Sequence, residues 1–375
     1  MSQKRDSQGS TASAWENFLH RPPLILDQAK AALSLAGKRI LVTGAGGWIG
    51  SALTKAIAGF APQHLVLLEV AERNLYEIDA ALQRLPTHIR HASIVGSIED
   101  LALLADIFDR YCPQIIYHAA AFKHVPLMEQ NPFAAIGNNT IGTSLLAQAA
   151  ATHNAEQLIL ISTDKAVDPI SMMGASKRIA ELIVLAERGT AIRMKAVRLG
   201  NVFGSEGSIV PLFRQQIISG GPVTVTHPDV RRYFLTTEDA VTLLLLASSA
   251  EMAQGILVPE LGEAVPVQAV AKHLIAREHS QAAIVYTQLR PGDKLTESLL
   301  SGCERYLGDP GSLLRSVSSP ALSASLLDDI LAQLQQACQT RSLSKLLPAV
   351  IRAVPGYQPS ALIQSALAAG DGFSL

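Results

Sequence analysis

Asp164 and Lys165 set an acid beside an amine at the end of an apolar run, residues 158–161, directly after Ser162 and Thr163. One group can give a proton and the other take one. The carboxyl end of a strand in an open α/β sheet is where general acid–base chemistry would be staged. A surface ion pair is the competing reading, and the position argues against it. Upstream, Thr43-Gly44-Ala45-Gly46-Gly47-Trp48-Ile49-Gly50 follows another apolar run and opens helical spacing. Gly44, Gly47 and Gly50 are spaced so that the first allows a tight turn and the second admits a pyrophosphate to the backbone. The third lets helix pack on strand. Glu69, 19 positions after Gly50, ends the next strand. A carboxylate there accepts hydrogen bonds from an adenosine ribose and repels a 2′-phosphate, favouring NAD over NADP, although Arg73 lies close enough to weaken the preference. Ala119, Ala120 and Ala121, after His118, are small enough for a cofactor to lie against the backbone. Lys177, twelve residues after Lys165, is placed to bind the nicotinamide ribose. Asn139 is expected to serve the core rather than a ligand.

The elements that must position these groups alternate. Apolar runs at 38–43, 65–68, 93–95, 115–118, 158–161 and 194–198 fit buried parallel strands, and Ile49, Leu53, Ile57 and Phe60 share one helix face. The fold class is α/β: a Rossmann-type doubly wound parallel sheet with a smaller C-terminal substrate-binding region. Turn signals at Gly220-Gly221-Pro222 and His227-Pro228 mark a change of texture beyond residue 204. The expected division is a polar segment with a lead-in helix at 1–36, an NAD-binding domain at 37–204, a mainly substrate-binding lid at 205–310 and a helical segment at 311–375. Within the last, 321–347 reads as helix.

Of the 375 residues, 48% are hydrophobic and 17% charged, the balance of a globular chain. Its 31 basic and 32 acidic residues give no global field for nucleic acid or an anionic membrane, so an anionic ligand must be held locally. Cys112, Cys303 and Cys338 form no pair motif, which argues against a disulfide framework or a zinc site. No apolar run reaches the length of a membrane span, and residues 1–14 lack the apolar stretch of a signal peptide. The sequence therefore predicts a cytoplasmic protein without a metal.

At these residues the chain resembles the extended short-chain dehydrogenase/reductase superfamily. Within it, the chain is similar to the polysaccharide-biosynthesis (CapD-like) nucleotide-sugar 4,6-dehydratases that act on UDP-N-acetylglucosamine. The resemblance rests on residues 119–126 (AAAFKHVP), 162–167 (STDKAV), 200–213 (GNVFGSEGSIVPLF), 220–228 (GGPVTVTHP), Arg232-Tyr233-Phe234 and 289–295 (LRPGDKL), and runs from about residue 16 to about 360. Family members often carry membrane helices and a further domain before the catalytic part, so this chain reads as the soluble catalytic form. The resemblance implies a transient oxidation at C4 with NAD, loss of water across C5 and C6, and inversion at C5. It implies that Lys165 abstracts the C5 proton, Asp164 protonates the leaving 6-hydroxyl, Thr163 bonds the 4-oxygen and Lys177 holds the nicotinamide ribose. Gly44, Gly47, Trp48, Ile49, Gly50, Glu69, Arg73, Ser97, Ile98 and Ala119 to Ala121 would surround the cofactor. Lys123 and His124 would line the sugar site, and Asn201, Arg232, Arg290 and Asp293 would grip the UDP. A homo-oligomer and a role in surface polysaccharide synthesis also follow from the resemblance alone.

Departures from the superfamily pattern qualify these roles. Met173 replaces the usual tyrosine four residues before Lys177, and methionine cannot accept a proton. The large-form dehydratases share it, and Lys177, Asp164 or a bound water remain candidates to deprotonate the 4-hydroxyl. Asp164 and Lys165 would each need a shift of about three pH units, about 4 kcal/mol, to be half in the working form at neutral pH. Closure over substrate, with desolvation, is expected to drive them there. Ser97 stands where an aspartate is usual, Trp48 where a small residue is usual, and Ser298 where glutamate is common. Two alternatives stay open: a nucleotide-sugar epimerase, and a non-catalytic NAD-binding sensor.

Overall fold

The runs become strands because each is short, mainly apolar in the central strands and closed by turn residues, with charged residues admitted in Arg193–Leu199. The computed structural model describes residues 15–370 apart from 16, 87, 187, 188, 190, 253, 309 and 310. Six strands lie parallel in the order β3-β2-β1-β4-β5-β6: β1 (Arg39–Thr43), β2 (His64–Glu69), β3 (His91–Val95), β4 (Ile115–His118), β5 (Gln157–Thr163) and β6 (Arg193–Leu199). Winding outward from β1 to β3 and then back to β4 opens a crevice at the reversal, beyond the carboxyl ends. The register pairs Thr43 with Leu68 and with His118, which brings the ends of β1, β2 and β4 level.

Beyond residue 205, β7 (Gln254–Pro259) returns to lie parallel beside β6. Then β8 (Arg305–Tyr306) and β9 (Leu314–Ser318) complete a nine-stranded sheet, β9 antiparallel to β7. Successive side chains of each strand feed opposite faces. Ile40, Val42, Leu65, Leu67 and Ile159 pack beneath α1 (Trp48–Ala58), α2 (Glu72–Gln83) and the later helix Thr237–Ser249. Leu41, Val66, Leu158 and Leu160 pack beneath α3 (Leu101–Tyr111), α4 (Thr143–Thr152), α5 (Met172–Leu185) and the C-terminal helices. The apolar stretch 240–247 is part of the buried helix Thr237–Ser249, and no described helix is long and apolar enough to cross a membrane.

Two local features differ from a plain reading of periodicity. The helix expected over 321–347 divides: Ala324–Thr340 ends at Arg341, whose φ of 50° is left-handed, and a second helix follows at Leu343–Ala353. Between α3 and α4, residues Gly137–Gly142 form a π-helical turn that carries Asn139.

A third cluster gathers Phe203, Val210, Phe213, Val223, Val225, Phe234 and Val270 in the part of the chain that follows β6. Trp15 caps it, stacked on Phe203 at 4.1 Å between ring centres, with Phe203 stacked on Phe234 at 4.7 Å. Arg21 then ties the same lead-in segment to Asp239 at 2.6 Å.

Candidate active site

The glycine loop is built for close approach. Gly44, at φ 65°, lies so near β4 that a Cβ would stand 2.6 Å from the Ala120 nitrogen, and a Cβ on Gly50 would collide with the Gly44 carbonyl. Helix α1 starts at Trp48 with Gly47 as its cap and no side chain bonded to its first turn. Its opening N–H groups therefore face the crevice with the polarity that favours a pyrophosphate. Glu69 is 7% exposed and accepts the Gly46 N–H at 3.0 Å and the Ala71 N–H at 3.0 Å. The carboxylate predicted for the ribose thus also shapes the loop. Arg73 pairs instead with Glu77, at 3.1 Å on an exposed face. Ile49 packs into the core, the Ser97 hydroxyl accepts the Glu99 N–H at 3.1 Å, and Ile98 is buried. Trp48 is 41% exposed; its indole N–H donates to Thr237 Oγ1 at 3.0 Å and its ring lies against Gly204. It ties the glycine loop to Gly204 and to the first residue of the helix Thr237–Ser249.

Under the loop, His118 is buried between two threonines, 2.7 Å from Thr43 Oγ1 and 2.9 Å from Thr143 Oγ1. Because Thr143 donates to the Asn139 carbonyl at 2.7 Å, it accepts from His118 Nε2–H, and Nδ1 accepts from Thr43. Burial pushes this imidazole down to about 3, so it is neutral. Asn139 clamps Phe122 at both backbone groups, 2.8 and 2.9 Å, and donates to Ser176 Oγ at 3.0 Å. Its expected core role is what the geometry gives.

The acid–base group sits at the end of β5. Asp164 is fully buried; its Oδ1 accepts from Thr163 at 3.0 Å and from Lys165 Nζ at 2.9 Å, while its Oδ2 has no hydrogen-bond partner. Lys165 Nζ also donates to Asn201 Oδ1 at 3.0 Å, so Asn201, predicted for the nucleotide, faces the amine. Burial raises the Asp164 carboxyl, with the Glu297 charge adding and Lys165 opposing. For Lys165 burial pulls downward, but Asp164 and Glu297 outweigh it and the amine is pushed up. The aspartate is thus biased toward the protonated acid that the sequence reading expects of it, and the lysine away from the free amine. Lys177, 4% exposed on α5, is lowered by burial to about 8 despite the Glu181 charge. Met173 is 3% exposed and packs into the apolar core.

The remaining predicted residues divide. Lys123 and His124 are exposed at the crevice, and the charges of Lys123, Arg290 and Glu206 all bear on the His124 ring, whose pKa is lowered chiefly by burial. Arg290 pairs with Asp293 at 2.8 Å and is well exposed, with donors left for an anion. Arg232 is 8% exposed and donates to the carbonyls of Arg231, Leu295 and Lys294.

Sequence reasoning missed two groups. Glu297, one residue before the Ser298 position that drew notice, is buried 3.6 Å from Lys165 Nζ. Behind β5, Arg198 is fully buried and makes paired bonds to Glu181, both 2.8 Å, and to Glu304, 2.6 and 2.9 Å; Glu181 also accepts from Ser162 at 2.7 Å. The sequence signal for the second was cationic residues, Lys195 and Arg198, alternating with apolar ones inside the strand Arg193–Leu199.

Comparisons with known proteins give the family and the fold. Residues 40–309 match the family described as polysaccharide biosynthesis protein. The chain is 42% identical over 292 residues to the probable polysaccharide biosynthesis protein EpsC of Bacillus subtilis, and 41% over 292 residues to the capsular polysaccharide biosynthesis protein CapD of Staphylococcus aureus. Each match covers 76% of this chain and 49% of the relative, so the chain spans about half the length of these curated relatives. A UDP-glucose 4-epimerase of Rickettsia bellii is 31% identical over 273 residues, covering 71% of this chain and 79% of that one. Among solved structures, Pen of Bacillus thuringiensis superposes with a TM-score of 0.68 at 23% identity, covering 80% of this chain and 98% of that one. DesIV of Streptomyces venezuelae, a dTDP-glucose 4,6-dehydratase with NAD and TYD bound, gives 0.62 at 21%, covering 81% and 98%. At these identities the structural likeness establishes the fold.

Proposed function

The chain belongs to the polysaccharide biosynthesis protein family, and from that premise we propose that it is an NAD-dependent nucleotide-sugar 4,6-dehydratase, acting on UDP-N-acetylglucosamine with inversion at C5. The observation that carries this reading is Asp164: a buried carboxyl, raised by its burial, with one oxygen unpartnered and the other shared with the Lys165 amine. Such a group suits proton delivery to a leaving hydroxyl.

The residues around the glycine loop fit a dinucleotide: the uncapped start of α1 for the pyrophosphate, Glu69 for the adenosine ribose, Lys177 for the nicotinamide ribose. NAD is favoured over NADP by the Glu69 charge. When bound, it would supply the transient oxidation at C4 and its reversal at C6. Thr163 orients the 4-oxygen, Lys165 takes the C5 proton, and Asp164 protonates the 6-oxygen as water leaves. Return of the proton to the opposite face of C5 inverts that centre. Lys123 and His124 border the sugar and Arg290 meets the diphosphate. The product, a UDP-4-keto-6-deoxy sugar, would feed surface polysaccharide synthesis in the cytoplasm, and the protein would act as a homo-oligomer.

A 4-epimerase is the second reading, favoured by the Rickettsia relative. Incubation with UDP-N-acetylglucosamine in deuterium oxide, followed by NMR, separates the two. A 4-keto-6-deoxy sugar bearing deuterium at C5 is the expected product. A C4 epimer that keeps its 6-hydroxyl and its C5 proton would overturn the dehydratase.

A further inference from the structure

Glu297 has no part in the steps above, yet its side chain is 3% exposed and closes one end of the acid–base group. Its Oε1 stands 3.6 Å from Lys165 Nζ and 3.8 Å from Arg232 Nε, and its Oε2 stands 3.6 Å from Lys294 Nζ. These are ion-pair separations, too long for hydrogen bonds, and Oε2 has no hydrogen-bond partner. A charge buried in this way is strongly unfavourable unless neighbouring charges compensate it. Two of its cations are themselves fixed: Arg232 by three backbone carbonyls and Lys294 by the carbonyl of Val167. The third is the Lys165 amine, which lies between Asp164 and Glu297. Two carboxylates therefore flank one amine, and only Asp164 is its sequence neighbour.

Resting on the dehydratase reading, we propose that Glu297 is a positioning residue for Asp164 and Lys165: its fixed, buried charge holds the shared amine and governs how tightly that pair keeps its protons. As the C5–H bond breaks, its proton passes to the Lys165 amine. As the C6–O bond breaks, the Asp164 proton passes to the departing oxygen, so water leaves and an ammonium and a carboxylate remain. The ammonium then gives its proton up to solvent, and this proton and that of the 4-hydroxyl balance the two taken up by Asp164 and by the opposite face of C5. Glu297 stabilises the new ammonium and opposes the new carboxylate. The groups facing Lys165 are Asp164, Glu297, Arg232 and Asn201, and those bearing on Asp164 are Thr163, Lys165, Glu297 and Tyr233. Among these, Glu297 is the negative charge external to the pair. Its removal loosens both protons together.

The test uses the full chain with NAD and compares Glu297→Gln with Glu297→Asp. In the working form Lys165 is unprotonated and Asp164 protonated, so the pH profile of C5 deuterium incorporation is a bell with one limb from each. Glu297→Gln should move both limbs to lower pH by about one unit, a tenfold change in each protonation ratio. Glu297→Asp, which keeps the charge, should leave the bell in place at reduced height. A Glu297→Gln bell that is lower but unmoved overturns the inference. A second measurement needs no turnover: with lysine labelled at Cε, the Lys165 NMR signal is assigned by its loss in Lys165→Arg and titrated without substrate. A lower titration point in Glu297→Gln upholds the coupling, and an unchanged one overturns it. If that point falls while the native protein makes no 4-keto sugar, the coupling stands and the dehydratase reading is what fails.

Discussion

Lys177 shows how a buried amine is held at the expense of the fold. It is 4% exposed, and burial lowers its amine to about 8. Between about pH 8 and 10.4 the unfolded chain binds a proton that the folded chain does not, so stability from this group rises with pH across that window. Below it, folding carries a penalty of about 3 kcal/mol. Lys177→Met should therefore raise the urea midpoint at pH 7 by the equivalent of about 2 kcal/mol, flatten the rise toward pH 10 and abolish turnover. Lys195, also lowered to about 8 by burial, keeps part of the rise in the variant. A variant destabilised at pH 7 would mean that the lysine's contacts matter more to the fold than its desolvation. Lys177 itself was legible from its distance after Lys165. Glu297 was not, because 132 residues separate it from Lys165, and only the path of the substrate-side segment brings them together.

At the scale of elements, β5, α5 and the β8–β9 edge converge on Arg198. The guanidinium is bidentate to Glu181 of α5 and to Glu304 beside β8, and Ser162 reaches the same Glu181 from the residue before Thr163. Burial alone would raise both carboxyls, but Arg198 holds them down, Glu304 to about 2. Arg198→Met would leave two buried carboxylates with Arg178, 2.9 Å from Glu181 and 3.6 Å from Glu304, as their shared cation, at a loss of about 3 kcal/mol at pH 7. In the native protein these depressed groups stabilise the fold at neutral pH, and the effect fades as pH falls through their folded values. In the variant they are raised, so its deficit should narrow below about pH 5, when protonation removes the stranded charge. Denaturant titrations at pH 7 and 5 check both size and direction. The six parallel strands were readable because each is a mainly apolar run closed by a turn. The return of β7 was less so: Gln254–Pro259 follows a lid-like texture, and its partner β6 is distant in sequence.

Across the whole molecule, two apolar cores sandwich the sheet and a third belongs to the part of the chain that follows β6. The crevice lies between, with the phosphate loop on one wall and the Phe203 cluster beyond the other. The near-neutral composition predicts that an anion would be gripped locally, and the exposed Arg290, whose charge bears on His124, offers donors for one. The lead-in segment was read only as a polar start and a short helix. Its packing depends on Trp15 finding Phe203, a contact that no local pattern encodes.

The two tryptophans of the chain stand in very different surroundings. Trp15 is 5% exposed and sealed among aromatic rings, while Trp48 is 41% exposed at the mouth of the phosphate loop. Intrinsic fluorescence should accordingly resolve into a blue emitter that reports the substrate side and a red emitter that reports the dinucleotide. Added NAD should quench the red component and leave the blue one bright, and Trp48→Phe should erase the response. Quenching that survives in Trp48→Phe would place the dinucleotide near Trp15 instead. The molecule thus carries a two-colour optical gauge of its own occupancy, readable without label or turnover.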